Sequence, residues 1–135
     1  MNSHHGGEMV IDNENDIVMA RKSVREAAVA LGFGVTDVTR IVTAASELTR
    51  NIYVYAGSGV MRWHTLNGNA TGLELVFEDH GPGIADLSLA MQPGYTTGKG
   101  LGMGLPGSKR LMDEMDVHSE IGQGTTIRIR KWLPR

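Results

Sequence analysis

The chain has 135 residues, of which 41 % are hydrophobic, and a formal net charge of −2, which suits one soluble globular domain with one core. It has no cysteine, which excludes disulfides, thiolate metal sites and cysteine nucleophiles and is typical of a cytoplasmic protein. No apolar run reaches membrane-spanning length and no basic stripe is present, so neither a membrane nor a nucleic acid is expected as a partner.

The first part of the chain predicts a short strand followed by two helices. Glu8–Ile11 is the candidate strand. Apolar residues recur at helical spacing within Asp16–Leu31, and two glycines follow the last of them, where a helix commonly ends. A second helix is predicted to begin with Thr36 or Asp37 as its N-cap and to run to about Tyr55.

The second part of the chain predicts two hairpins and one more helix. Residues 59–68 and 71–79 have the pattern of two strands joined by a turn. A glycine-rich region then extends from Gly81 to about Gly104, and a third helix is predicted over Leu105–Met115, with a proline where the first helical turn tolerates one. The last two strands are predicted to pair across Gly122–Gly124.

These elements predict an α+β fold. We expect a two-layer sandwich in which helices cover one face of a mostly antiparallel sheet. Residues 1–7 are polar and contain glycine, so a loose N-terminal segment is predicted there, and residues 8–135 are expected to form a single domain.

A carboxylate and a carboxamide lie one turn apart on the second predicted helix. Helical spacing gathers the apolar residues on one side, and Glu47 and Asn51 fall on the rim of that side. Asparagine is a neutral oxygen ligand for Mg²⁺, and a nearby carboxylate can accept a proton from a hydroxyl group. The pair also fits a solvated helix edge, and the spacing leaves both interpretations open.

A second carboxylate ends the inward-facing row of a predicted strand. Strand alternation places Asp79 on the same side as three apolar residues, Leu73, Leu75 and Phe77. A carboxylate in that position needs donors, and Gly81 and Gly83 allow a close approach of the backbone. Asp79 could therefore accept a hydrogen bond from the amine of a planar base such as adenine. It could equally cap its own turn.

The glycine-rich stretch before the third helix resembles a P-loop but is not one. Lys99 is followed by glycine instead of serine or threonine, and Gly94 lies one residue too close to Gly98 for the pattern. Backbone N–H groups before a helix N-terminus nevertheless form an anion site, and Lys99 would add a point charge toward a terminal phosphate. The alternative is a disordered surface loop.

The order of these features resembles the GHKL superfamily of ATPases and kinases. Its N, G1, G2 and G3 boxes match Glu47–Asn51, Asp79–Ile84, Gly100–Leu105 and Gly124–Thr126. The stretches "ELTRNIYVYAG", "DHGPGI", "GLGMGLPGSKRLMDE" and "GTTIRIRKWL" further resemble the RsbT-type switch kinases of bacterial stress signalling. These kinases are related to the anti-sigma factors RsbW and SpoIIAB.

The resemblance implies a Bergerat-type fold that binds ATP and Mg²⁺. Asn51 would hold the metal, Glu47 would be the catalytic carboxylate, and Asp79 would bind the adenine amine with support from Thr125. The remaining positions that the resemblance places around the nucleotide are Gly81, Gly83, Ile84, Gly100, Leu101, Gly102, Met103, Gly104 and Leu105.

The resemblance also implies a function. We expect an ATP-dependent serine/threonine protein kinase that phosphorylates STAS-domain proteins in a stress-signalling, partner-switching module of the stressosome type and activates a PP2C-type phosphatase. One alternative is an anti-sigma factor that sequesters a sigma factor and phosphorylates its antagonist. A second is a nucleotide-gated binding module without catalysis, although Glu47 speaks against it.

Overall fold

A five-stranded antiparallel sheet with helices on one face forms the fold of this protein. The computed structural model describes residues 6–84, 91 and 104–134. In chain order the elements are β1 (Gly6–Ile11), α1 (Glu14–Leu31), α2 (Val35–Asn51), a π-helical turn (Ile52–Ala56), β2 (Gly59–Leu66), β3 (Gly72–Asp79), α3 (Gly104–Leu111), β4 (Glu114–Glu120) and β5 (Gly124–Trp132). The strands lie in the order β1-β2-β3-β5-β4. The predicted α+β class is confirmed.

Helix α1 begins two residues before the predicted start, because a capping box fixes its first turn. The Asn13 side chain accepts a hydrogen bond from the Asp16 N–H at 3.1 Å, and Asp16 Oδ2 accepts from the Asn13 N–H at 3.2 Å. A further hydrogen bond from the Asp12 N–H to the same carboxylate lowers the pKa of Asp16 below its usual value. Reciprocal bonds of this kind satisfy N–H groups that a helix leaves unpaired.

Helix α2 carries the apolar side that its spacing predicts, but its two ends differ from the prediction. Its N-cap is Gly34, without a side-chain hydrogen bond, so the predicted caps Thr36 and Asp37 are wrong. At its other end the α-helix stops at Asn51 and continues as the π-helical turn, which the Gly57 N–H closes onto the Ile52 carbonyl at 2.9 Å. The side that α2 buries consists of Val38, Ile41, Val42, Ala44, Ala45, Leu48 and Thr49.

The core lies between the helices and one face of the sheet. The inward residues of β3 (Leu73, Leu75 and Phe77) pair across the ladder with inward residues of β5, among them Ile127 and Ile129. Helix α1 contacts the first three strands, and α2 packs between α1 and α3. Both predicted hairpins are present, and β1 begins at Gly6, two residues before its predicted start. Among the described helices, none has the length and apolar character needed to cross a bilayer.

Helix α3 is shorter than predicted, because long-range hydrogen bonds end it. It runs over Gly104–Leu111, whereas the predicted helix covered Leu105–Met115. The Asp113 N–H donates to the Arg130 carbonyl at 3.0 Å, and Asp113 Oδ2 accepts from the Trp132 N–H at 2.8 Å. These bonds join the chain to β5, so Met115 lies in strand β4 and the prediction was wrong for residues 112–115.

Buried Lys131, on the helix side of β5, stabilises the connection between α3 and β4. Its Nζ donates to the Leu111 carbonyl at the end of α3 at 3.2 Å. The same ammonium lies 3.5 Å from Asp113 Oδ1 and 3.7 Å from Asp37 Oδ1 near the start of α2. A cation at the C-terminal end of a helix is favourable because the last carbonyl groups lack partners there.

The face of the sheet away from the helices carries a network of charged groups. Buried Glu74 is paired with His64 and with Arg130, whose Nε lies 2.6 Å from Glu74 Oε2. Arg130 also reaches Glu114 at 3.0 Å, and the Trp132 indole N–H donates to the other oxygen of Glu114 at 2.9 Å. The hydrogen bonds from Trp132 and Arg130 lower the pKa of Glu114 below its usual value of 4.5.

Candidate active site

The rim of helix α2 presents Glu47 and Asn51 one turn apart, as the spacing predicted. Both residues are half-buried, next to fully buried Leu48. Within the described residues, no hydrogen bond or ion pair engages either side chain. Two oxygen-bearing side chains therefore lie at the edge of the core, and neither has a hydrogen-bond partner among the described residues. Their assignment as catalytic base and metal ligand stays a prediction.

Asp79 ends β3 on the same side as the buried residues of that strand. It is half-buried, and its Oδ1 accepts the Gly81 N–H at 2.9 Å. The turn-capping alternative is therefore present, but it uses only one of the two carboxylate oxygens. Among the described residues Oδ2 has no donor, so it remains available to accept a hydrogen bond from a ligand.

Three polar side chains form a single row across the sheet at this end. Asp79 of β3 pairs with Thr125 of β5, and Thr125 pairs with Ser119 of β4. Thr125 is buried, and its Oγ1 lies 2.8 Å from Ser119 Oγ. The preceding row on the same side is apolar and consists of Phe77, Ile127 and Val117. The core thus gives way to a polar row where the strand ends.

The loop after β3 is held against the β4–β5 hairpin. The Gly122 N–H donates to the Pro82 carbonyl at 2.9 Å, and the Ile84 N–H donates to Ser119 Oγ at 2.8 Å. At Gly83, which has a φ of +80°, a Cβ would lie 2.3 Å from the Glu120 carbonyl oxygen. The close backbone approach expected at Gly83 is therefore made to the hairpin, and a larger residue would push the loop away.

The end of α2 covers the end of β3. Ile52, which follows Asn51, packs over Gly59, the ladder partner of Asp79; a Cβ on Gly59 would lie 2.8 Å from Ile52 Cγ2. The last residue of the π-helical turn, Ala56, lies in the same way against Gly81. Asn51 and Asp79 therefore belong to the same end of the domain, although they lie on different elements.

Helix α3 packs beside α2, and the prediction places a phosphate group at its N-terminus. Leu105 near that N-terminus is buried. Gly104 begins the helix, and its role in facing a phosphate stays a prediction. The predicted phosphate-binding residues Lys99, Gly100, Leu101, Gly102 and Met103 lie outside the described residues.

The chemistry of these side chains fits an adenine nucleotide with a divalent ion. Asp79 is an acceptor for an exocyclic amine, and the Thr125 hydroxyl beside it can donate or accept. Asn51 supplies a neutral oxygen suited to Mg²⁺. The described residues contain no group of three His, Asp or Glu side chains that could hold a metal ion. An ion at Asn51 would therefore take most of its ligands from phosphate and water, which is usual for Mg²⁺ with nucleotides.

The prediction from sequence missed Ser119, which connects Thr125 to the loop after β3. The signal was present in the alternation of "EMDVHSE", where Met115, Val117 and Ser119 share the inward side. Extending that alternation across the tight hairpin at Gly122 places Ser119 opposite Thr125.

Comparison with known proteins decides the family. The sequence profile of the histidine kinase-, DNA gyrase B-, and HSP90-like ATPases matches residues 36–135. This chain belongs to that family. The matched range contains all four motifs, so the GHKL superfamily predicted from them is confirmed. ATP is accordingly the nucleotide that members of this ATPase family imply for the site.

Relatives narrow the place of the chain within the GHKL family. The serine/threonine-protein kinase RsbT of Bacillus subtilis (strain 168) is 50 % identical over 124 residues, covering 91 % of this chain and 93 % of the relative. An anti-sigma F factor of Thermoanaerobacter sp. (strain X514) is 32 % identical over 119 residues, covering 84 % and 83 %. The predicted resemblance to RsbT-type kinases is confirmed, and the predicted enzyme class is that of this relative.

Solved structures agree on the fold. A Mycobacterium tuberculosis structure of RsbU and RsbW domains superposes with a TM-score of 0.68 at 18 % identity, covering 96 % of this chain and 33 % of that one. A blue-light activated histidine kinase domain from Erythrobacter litoralis gives a TM-score of 0.55 at 22 % identity, covering 83 % and 60 %. The chain spans about a third of the first of these proteins, and both similarities concern the fold alone.

Proposed function

We propose that this protein is a cytoplasmic, ATP-dependent serine/threonine kinase of a bacterial partner-switching module, with STAS-domain proteins as its substrates. The observation that carries the proposal is the placement of Glu47 and Asn51 on the rim of α2, whose end covers the strand end bearing Asp79. The 50 % identity to a serine/threonine kinase supports the same conclusion. Activation of a PP2C-type phosphatase by the same protein belongs to this proposal.

The proposed chemistry assigns one task to each part of the site. Asp79 and Thr125 hold the adenine, and Asn51 holds Mg²⁺, which when bound would neutralise charge on the phosphates. Glu47 accepts the proton of a substrate serine or threonine hydroxyl. The hydroxyl oxygen bonds to the γ-phosphorus while the bond from that phosphorus to the bridging oxygen breaks, and ADP leaves. Phosphoryl transfer of this kind depends mainly on positioning and charge stabilisation.

Mass measurement of candidate substrates tests the proposal. The protein is incubated with ATP, Mg²⁺ and a panel of purified STAS-domain proteins, and each partner is weighed intact. We expect one added phosphate on at least one partner. Absence of phosphate on every partner, from a kinase that binds ATP by calorimetry, would refute the catalytic claim.

Replacement of Glu47 separates catalysis from binding. Glu47→Ala is expected to reduce phosphate transfer by about 10²-fold or more while leaving the ATP dissociation constant within about twofold. Glu26→Ala, which removes an exposed carboxylate from α1, is the control and should transfer phosphate normally. Undiminished transfer by Glu47→Ala would show that Glu47 is not the base, and no transfer even by the unaltered protein would favour a binding module.

The similarity to anti-sigma F factors supports a second candidate function, in which the protein binds a sigma factor as well as phosphorylating an antagonist. A pull-down with the tagged protein and ADP or ATP distinguishes the two. Recovery of a sigma subunit as a stoichiometric partner would favour the anti-sigma function. Recovery of STAS-domain proteins alone would favour the switch kinase.

A further inference from the structure

The hydroxyl oxygen of Ser119 has three polar neighbours within hydrogen-bond distance. Ser119 is half-buried on the helix side of the edge strand β4. Its Oγ accepts the Ile84 N–H at 2.8 Å, lies 2.8 Å from Thr125 Oγ1, and lies 3.2 Å from the Gly124 carbonyl oxygen. The neighbouring Thr125 is the residue that faces Asp79 across the ladder.

The direction in which Ser119 donates its proton determines whether the Thr125 hydroxyl can donate a hydrogen bond to a further group. Each of the two hydroxyl groups has one proton. If Ser119 donates to the Gly124 carbonyl, Thr125 must donate to Ser119 to make their short contact, and Thr125 then offers only lone pairs. If Ser119 donates to Thr125, the Thr125 proton is left for a different acceptor.

A direct hydrogen bond from this row to the acceptor on the edge of adenine requires the second arrangement. The exocyclic amine of adenine is a donor and the adjacent ring nitrogen N1 is an acceptor. An ionised Asp79 can only accept, so it can bind the amine but not N1. The donor for N1 must therefore come from a neighbouring group, and Thr125 is the next side chain of the same row.

We propose that Ser119 is a positioning residue that turns the Thr125 hydroxyl into a direct donor toward N1 of adenine. The proposal rests on the proposed function, because it takes adenine as the bound base. Ser119 does not touch the nucleotide in this arrangement. It acts through Thr125, and its bond to the Ile84 N–H keeps its own oxygen in place while it donates.

Equilibrium binding of ADP and of 1-deaza-ADP tests the proposal. The second nucleotide keeps the amine but has a C–H group in place of N1. Ser119→Ala is expected to weaken ADP binding by about tenfold, or about 1.4 kcal/mol. The same variant should bind 1-deaza-ADP within about twofold of the unaltered protein, because that ligand has no N1 to receive the proton. Ser119→Thr keeps the hydroxyl group and should restore most of the ADP affinity.

A double-mutant cycle with Thr125→Val separates positioning from loop anchoring. If Ser119 acts through Thr125, Ser119→Ala should change ADP binding less than about twofold in the Thr125→Val protein. Equal weakening of both nucleotides, or a full loss in the Thr125→Val protein, would overturn the proposal, because Ser119 would then only hold the loop.

Two further outcomes are distinguishable from these. If Ser119→Ala does not fold, Ser119→Cys takes its place, since a thiol is a weak donor, and the same two comparisons decide. If the unaltered protein binds no ADP, the proposed function fails and this proposal fails with it.

Discussion

Replacing Gly124 by alanine tests the junction between β3 and β5 at the candidate site. Gly124 has a φ of +127°, and a Cβ there would lie 2.1 Å from the Asp79 carbonyl oxygen and 2.8 Å from the His80 Cα. Both are backbone atoms, so the clash can be relieved only by separating the strands. Gly122 is a matched control, because its φ is +78° but a Cβ there would meet no atom within 4 Å.

The two variants differ by the cost of the clash. Positive φ alone costs about 1–2 kcal/mol for a residue with a Cβ, so Gly122→Ala should destabilise the protein by about that amount. Gly124→Ala bears the same cost and also loses one or two ladder hydrogen bonds, which are worth about 1 kcal/mol each. We therefore expect a difference of about 2 kcal/mol between the variants.

Urea unfolding followed by circular dichroism measures this difference. With a slope of about 2 kcal/mol per molar urea, the midpoint of Gly124→Ala should fall about 1 M below that of Gly122→Ala. ADP binding should also weaken more in Gly124→Ala, because the displaced backbone carries Asp79. Equal midpoints for the two variants would refute the close approach of Gly124 to β3.

Three further predictions concern stability. Leu75→Ala, at a fully buried position of the central strand, should lower the free energy of unfolding by about 2–5 kcal/mol. Val29→Ala, at a side chain that is 59 % exposed, should change it by less than about 0.5 kcal/mol. Similar urea midpoints for the two variants would contradict the burial of Leu75 in the core. Lys131→Met should lower the free energy of unfolding by about 1–3 kcal/mol, because the Leu111 carbonyl loses its donor and two carboxylates lose a cation. An unchanged melting temperature would show that the buried ammonium contributes nothing to stability. The pKa of Glu114 is lowered on folding, so its contribution to stability is present above the usual value of 4.5 and is lost as the pH falls through the lower folded value. Glu114→Gln should therefore lose less stability than the unaltered protein between about pH 5 and pH 3, and parallel pH profiles would argue against this coupling.

Local patterns were sufficient to predict most of the fold. The apolar spacing of α2 predicted the side that the structure buries, and strand alternation predicted that Asp79 continues the inward row of β3. Both patterns depend on the geometry of single elements, which the local sequence determines. The four motifs likewise predicted the family, because their order and composition resemble the N, G1, G2 and G3 boxes of the GHKL superfamily.

The errors occur where distant parts of the chain meet. Helix α3 was predicted to continue to Met115, but Asp113 bonds to β5 and ends the helix. Ser119 was missed for a different reason, because its role depends on the register of β4 against β5, which appears only when the alternation of β4 is extended across the hairpin. No local pattern contains the partners of Asp113, so tertiary bonds outweighed the helical preference at the end of α3.

The strand order has a consequence for how the protein acquires its site during folding. Strand β5 lies between β3 and β4, and its pairing with β3 joins residues that are distant in the chain, such as Glu74 and Arg130, which are separated by 56 positions. Closing so long a loop is entropically costly before the contacts form. A partly folded chain that has formed only α1, α2 and the β2–β3 hairpin contains Asp79, but Thr125 and Ser119 are not yet paired beside it. Nucleotide affinity should therefore appear late in refolding, after most of the helical signal has returned.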